Sequence, residues 1–261
     1  MLTCLFRRQL FSRAMLLSAA VGLVLLAQPN AYMLPFLFKG SITNLGYYTD
    51  IYIFALDCSS FLTFTPLLAV LPGVLRFCEE VHSGYARMIL TRCTKKRYAL
   101  SHTAVNALSG GCAVALPLIL YAIFSLLCGI PYTEECLTSG HHTPVFNNPL
   151  LGSLETSLGG FTCILIIIAC GFLFGMVWST IGLAAAAITP NRYLALGIPL
   201  LLFFLLHLGF NAIGLFRYSP TNMILPDVVP SFGFLLTYQG ILLLAALAVL
   251  FPAMKRRLAY V

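Results

Sequence analysis

Charge is what this chain has least of. Asp, Glu, Lys and Arg make up 9% of its 261 residues, where a soluble domain carries about 25%. So few charges cannot cover a water-exposed surface. A disordered chain is excluded for the opposite reason, because hydrophobic types reach 60% and disorder needs a deficit of them. Nine cysteines in a chain of this length are too sparse for a disulfide scaffold. Chemical motifs are missing too. There is no GxxxxGK[ST] loop to cradle a nucleotide phosphate, no HExxH zinc-protease pair and no CxxC. These absences predict no catalytic residue, no metal site and no cofactor bound by this chain.

What the chain has is long uncharged runs. Residues 14–38, 98–133, 156–191, 193–216 and 228–254 contain no Asp, Glu, Lys or Arg, and 51–75 contains one, Asp57. A helix crosses the hydrocarbon core with about 20 apolar residues. The pattern therefore predicts a single all-α transmembrane domain over 1–261 with six spans, at about 14–36, 51–75, 103–129, 159–187, 193–213 and 231–252. Residues 1–13 mix Leu and Phe with arginines, as in a short helix lying at the membrane interface. The apolar run after them continues through Phe38, past any cleavage point of a secretory signal, so it is expected to stay as the first span.

The charges that do occur are sorted by side. Arg7, Arg8, Arg13, Arg76, Arg87, Arg92, Lys95, Lys96, Arg97, Arg192, Lys255, Arg256 and Arg257 fall on one side of a six-span layout, and only Lys39 and Arg217 on the other. The positive-inside rule then places both termini in the cytoplasm of a cell membrane. The net charge of +7 reads as a topology signal and an attraction to anionic lipids, with no nucleic-acid partner implied. Asp50, Glu134, Glu135, Glu155 and Asp227 fall outside.

Several smaller features carry expectations. Gly171 and Gly175 form GxxxG in the fourth span, which favours close helix packing. Asp57 inside the second span is expected to find a partner in His207 or Arg217, or else to reach water at the outer interface. The outer loop 131–155 is long enough for a short helix. It carries Glu134, Glu135, Cys136, His141 and His142, a weak metal-ligand set. A Cys128–Cys136 bridge is open. In the cytoplasmic connection 76–102, Phe77, Val81, Tyr85, Met88 and Ile89 recur at helical spacing. Glu79, Glu80, Ser83 and Arg87 are left facing water and a partner.

That connection reads FCEEVHSGYARMILTRCTKKRYALSH. Acids, then a glycine, then an apolar stretch, then a basic cluster ending in tyrosine lead into the third span. It resembles the membrane subunit of type-2 ABC exporters, the ABC-2 permease family, at Glu79, Glu80, Gly84, Lys96, Arg97 and Tyr98. The six-span layout and the short turn TPNRY between the fourth and fifth spans are similar as well. The resemblance implies a permease that pairs with a second permease subunit, identical or not. It also implies a separate cytoplasmic ABC ATPase, which would bind the ATP and magnesium, docked through Glu79, Glu80, Gly84, Arg87, Lys96, Arg97 and Tyr98. A second resemblance is thinner. Glu79-Glu80 with Phe203-x-x-x-His207 is similar to part of the CAAX-type intramembrane protease pattern, but Gly84 stands where that family has arginine. A non-transporting accessory membrane protein is the remaining alternative.

Overall fold

The computed structural model describes residues 8–31, 47–91, 93–129, 149–189, 191–226, 229 and 231–257. The helices run α1 (Arg13–Ala27), α2 (Tyr48–Cys58), α3 (Phe61–His82), α4 (Tyr85–Leu90), α5 (Lys95–Cys128), α6 (Pro149–Leu158), α7 (Gly160–Ile188), α8 (Arg192–Ala212) and α9 (Phe232–Arg257). Two 3-10 turns, Phe216–Tyr218 and Pro220–Met223, follow α8. No β-strand occurs among the described residues. This is an all-α polytopic membrane protein. Five helices, α3, α5, α7, α8 and α9, are long and apolar enough to cross a membrane. α1 is apolar but has 15 residues, about 22 Å against a core of about 30 Å. Positions 32–36 of the predicted first span lie outside the described residues.

Three boundaries differ from the sequence expectation. The second span is not one helix over 51–75. The chain breaks at Ser59 and Ser60, and the crossing helix is α3. Ser59 Oγ accepts from the Phe61 N–H at 3.3 Å and donates to the Leu56 carbonyl at 3.4 Å, so a serine ends one helix and starts the next. The third helix begins at Lys95, eight residues before the expected start. Thr94 caps it by accepting from Arg97 N–H at 3.4 Å. Its 34 residues extend about 50 Å, so its basic first turns stand beyond the hydrocarbon. The sixth span likewise continues as helix to Arg257.

α5 and α7 make the most intimate contact in the bundle, and α3 packs on both. Small residues create it. A methyl group placed on Gly110 would lie 2.2 Å from Ser179 Cβ, and one on Gly175 would lie 2.4 Å from the Gly110 carbonyl oxygen. The Gly171–Gly175 pair thus packs inside one chain, against Leu118, Val114 and Gly110. The backbones are close enough for a reciprocal pair of hydrogen bonds. Asn106 Nδ2 donates to the Ser179 carbonyl at 2.8 Å, and Ser179 Oγ donates to the Asn106 carbonyl at 3.1 Å. In hydrocarbon such interhelical bonds replace the water that is missing. Trp178 and Phe174 of α7 meet Phe203 of α8 edge-on, at 5.5 and 6.2 Å between ring centres. Ala195, Pro199 and Phe203 are the residues α8 buries.

Helix direction alternates, so Arg8, Arg13, the end of α3, the start of α5 and the end of α9 gather at one end of the bundle. Arg257 of α9 closes the end of α7, donating from Nε to the Ala187 carbonyl at 3.0 Å and from Nη2 to the Ile188 carbonyl at 2.9 Å. This basic end contrasts with the other, where α2 and α6 pack. Asn30 Nδ2 donates there to the Ile51 carbonyl at 3.0 Å and to the Tyr121 hydroxyl. α6 is the short helix the outer loop was long enough to hold. Leu151 and Glu155 on it are buried.

Candidate functional site

The end of α3 is set by Gly84. Its φ is +70°, a left-handed conformation that a side chain disfavours. Ser83 N–H still bonds the Glu79 carbonyl at 2.9 Å, and Gly84 N–H bonds the Val81 carbonyl at 3.4 Å. The chain then turns into α4. The turn breaks the apolar face expected to run from Phe77 to Ile89. Phe77 is buried, Val81 and Ile89 are half-buried, and Tyr85 and Met88 are exposed at 39% and 61%. The short helix therefore presents an aromatic and a methionine to its surroundings.

The two glutamates separate. Glu79 is exposed and its carboxylate lies 3.8 Å from Arg192 at the start of α8. Glu80 does not face water as its spacing suggested. It is buried at 6% exposure, 3.4 Å from Arg76 one turn earlier and 3.3 Å from His102 Nε2 on α5. A helix places adjacent residues about 100° apart, and the wall of α5 covers one of them. Tyr98 is likewise buried, its ring 4.3 Å from that of His102, and Phe77 meets His102 edge-on at 6.0 Å. Arg76 also donates to the Arg8 carbonyl at 3.0 Å, tying the N-terminal segment to α3. Arg76 and His102 were not singled out by sequence. Their signal was there: Arg76 and Glu80 stand four apart, as do Tyr98 and His102, and each such pair shares a helix face.

Of the remaining coupling candidates, Lys96 and Arg97 are exposed in the first turn of α5. Arg87 lies on α4, with its side chain outside the described set. A polar groove of about 830 Å³ runs between the N-terminal segment and α3–α4, with Arg8, Ser12, Arg13, Arg76, Glu79 and Tyr85 among its walls. Here the structure gathers charges of both signs around the α3–α4 turn, with Glu80 and Tyr98 forming the foundation beneath it.

The predicted partners of Asp57 are elsewhere. Asp57 sits in the exposed last turn of α2, before the break and not inside α3. Among the described residues no ion pair joins it to His207 or Arg217. His207 Nδ1 shares a 2.6 Å hydrogen bond with Ser219 Oγ, and its Nε2 is 3.2 Å from Asn211 Nδ2. Arg217 lies exposed in the first 3-10 turn. Glu79 and Glu80 do not converge with His207, because Arg192 beside Glu79 is fifteen residues from His207, about 22 Å along α8. Cys136, His141 and His142 lie outside the described residues. No protein-family model, curated protein or solved structure matches the chain.

Proposed function

We propose that the protein is the permease subunit of an ATP-driven exporter of the ABC-2 kind. It lies in a cell membrane with its basic end in the cytoplasm. It forms the substrate path with a second permease subunit and takes its energy from a separate ATPase. The observation that carries this reading is α4, a short helix held between two crossing helices at the basic end. It has Tyr85 and Met88 turned outward and Glu79 exposed beside it. Anionic headgroups would pair with the surrounding arginines and offer Glu79 no counterpart. A protein surface of complementary charge and an apolar pocket accept both features. Glu79, Gly84 and Arg97 form the docking face, and Arg87 adds a further cation to the α4 segment. Glu80 and Tyr98 hold that face in place through His102. Lys96 belongs to a neighbouring groove.

The test is purification of the tagged full chain from its own membranes after cross-linking. A P-loop ATPase should be recovered with it, and Glu79→Lys with Met88→Asp should reduce its recovery at least tenfold with the permease level unchanged. Recovery of a folded chain without any ATPase, in the presence and absence of ATP, overturns the reading.

A further inference from the structure

The first turns of α5 and the last turns of α9 meet at the basic end and leave a groove of about 480 Å³ between them. Its walls are Ala99, Leu100, Phe251 and Met254, and its rim is Lys95, Lys96 and Lys255. Leu100 and Phe251 are 57% and 40% exposed. No acidic residue lines the groove, and among the described residues none of the three lysines forms an ion pair. α5 and α9 have only slight direct contact with each other, so the groove is a gap between them.

Two demands must be met at once. Three cations at one mouth, with no acid beside them, call for an anion. The hydrocarbon floor calls for an apolar occupant. A free anion leaves the floor wet, and an apolar peptide leaves the lysines unpaired. A phosphate carried on an acyl chain satisfies both. We propose that this groove is a binding site for one anionic phospholipid. Its phosphate sits among Lys95, Lys96 and Lys255, and an acyl chain lies along Leu100 and Phe251, filling the gap between α5 and α9. The inference needs only that the chain spans a membrane, and does not depend on what it transports.

The experiment uses the full chain, delipidated in a mild detergent, with bound lipids counted by native mass spectrometry. Dioleoylphosphatidylglycerol should bind with one site tighter than the rest, and dioleoylphosphatidylcholine should lack that site. Inorganic phosphate at the same concentration should not compete. Each lysine-to-glutamine change should weaken the site about fivefold, and the triple Lys95→Gln/Lys96→Gln/Lys255→Gln variant on the order of a hundredfold. Leu100→Trp, which fills the floor and keeps every charge, should weaken it too. Phosphatidylglycerol should raise the unfolding temperature of the wild type but not of the triple variant. Equal binding of the two lipids, effective competition by phosphate, or an unchanged triple variant overturns the proposal. So does a triple variant that keeps the lipid but no longer retains an ATPase, which would assign the lysines to a protein partner.

Discussion

Glu80 of α3 and His102 of α5 face each other across 3.3 Å at the basic end of the bundle, while Glu79, one residue away, reaches 3.8 Å toward Arg192 from an exposed position. The pair Glu79-Glu80 thus divides into a surface residue and a structural one.

That division predicts opposite outcomes for two alanine variants. Glu80→Ala removes one partner of a buried polar cluster and leaves Arg76 and His102 without it, at a loss of about 1–3 kcal/mol. Glu79→Ala breaks only an exposed pair and should change stability by less than about 1 kcal/mol. Thermal unfolding of the purified variants in one detergent compares them. Equal shifts would show that the burial of Glu80 contributes nothing.

Glycine substitutions separate core from periphery. Gly110→Ala forces a methyl to within 2.2 Å of Ser179 Cβ, and should destabilise by about 1–3 kcal/mol. Gly197→Ala on α8 meets nothing within 4 Å and should be neutral or stabilising by up to about 1 kcal/mol. The same unfolding assay reads both. A Gly110→Ala protein as stable as the wild type would contradict the close approach of α5 and α7.

At the far end, His207 and Ser219 are coupled and His207 and Asp57 are not. His207→Gln with Ser219→Ala should show a coupling energy above about 0.5 kcal/mol, whereas His207→Gln with Asp57→Asn should be additive within that margin. Two double-mutant cycles on unfolding temperature measure the difference, and a coupled Asp57 would restore the ion-pair expectation.

Orientation is checked with thiols. Cys58 is exposed in the last turn of α2, and Cys93 lies half-buried beside the basic cluster. In single-cysteine variants on intact cells, a membrane-impermeant maleimide should label Cys136. Cys93 should react only after permeabilisation. The reverse pattern would put the α4 face outside the cell and remove the ATPase-docking proposal.

The crossing helices were legible because a charge in hydrocarbon is costly, and uncharged runs mark where the chain lies. Their ends were not legible by the same rule. Lys95, Lys96 and Arg97 are long side chains that can extend a helix past the hydrocarbon and keep their charges in water, so a charge marks the membrane boundary and not the helix boundary. The break at Ser59 and Ser60 was hidden for a related reason. Hydropathy does not change across it, and only the local hydrogen bonds of Ser59 reveal it. Gly84 was legible as a helix stop, a glycine after the apolar run of α3, and its φ of +70° supplies the physical reason. The burial of Glu80 and Tyr98 depends on which wall of α5 faces α3, a relation between segments that periodicity within one segment does not contain. Lys255 stands 159 residues from Lys96 in sequence, and only the packing of α9 and α5 on their common neighbour α7 puts both on one groove.

The sparse packing of α8 has a structural consequence. Helices α3, α5 and α7 are locked by interdigitated small residues and buried hydrogen bonds, whereas α8 buries Ala195, Pro199 and Phe203. Local stability follows the number of buried contacts, so α8, like α9, is held less tightly than the α3, α5 and α7 core. Its start, Arg192, lies against Glu79 on the α3–α4 face, and its end is fastened through His207 to the 3-10 turns. α8 is thus held at its start, at its buried middle and at its far end, and what it leaves uncovered is one face, carrying Leu201, Leu205 and Leu208, that the rest of the described bundle does not touch.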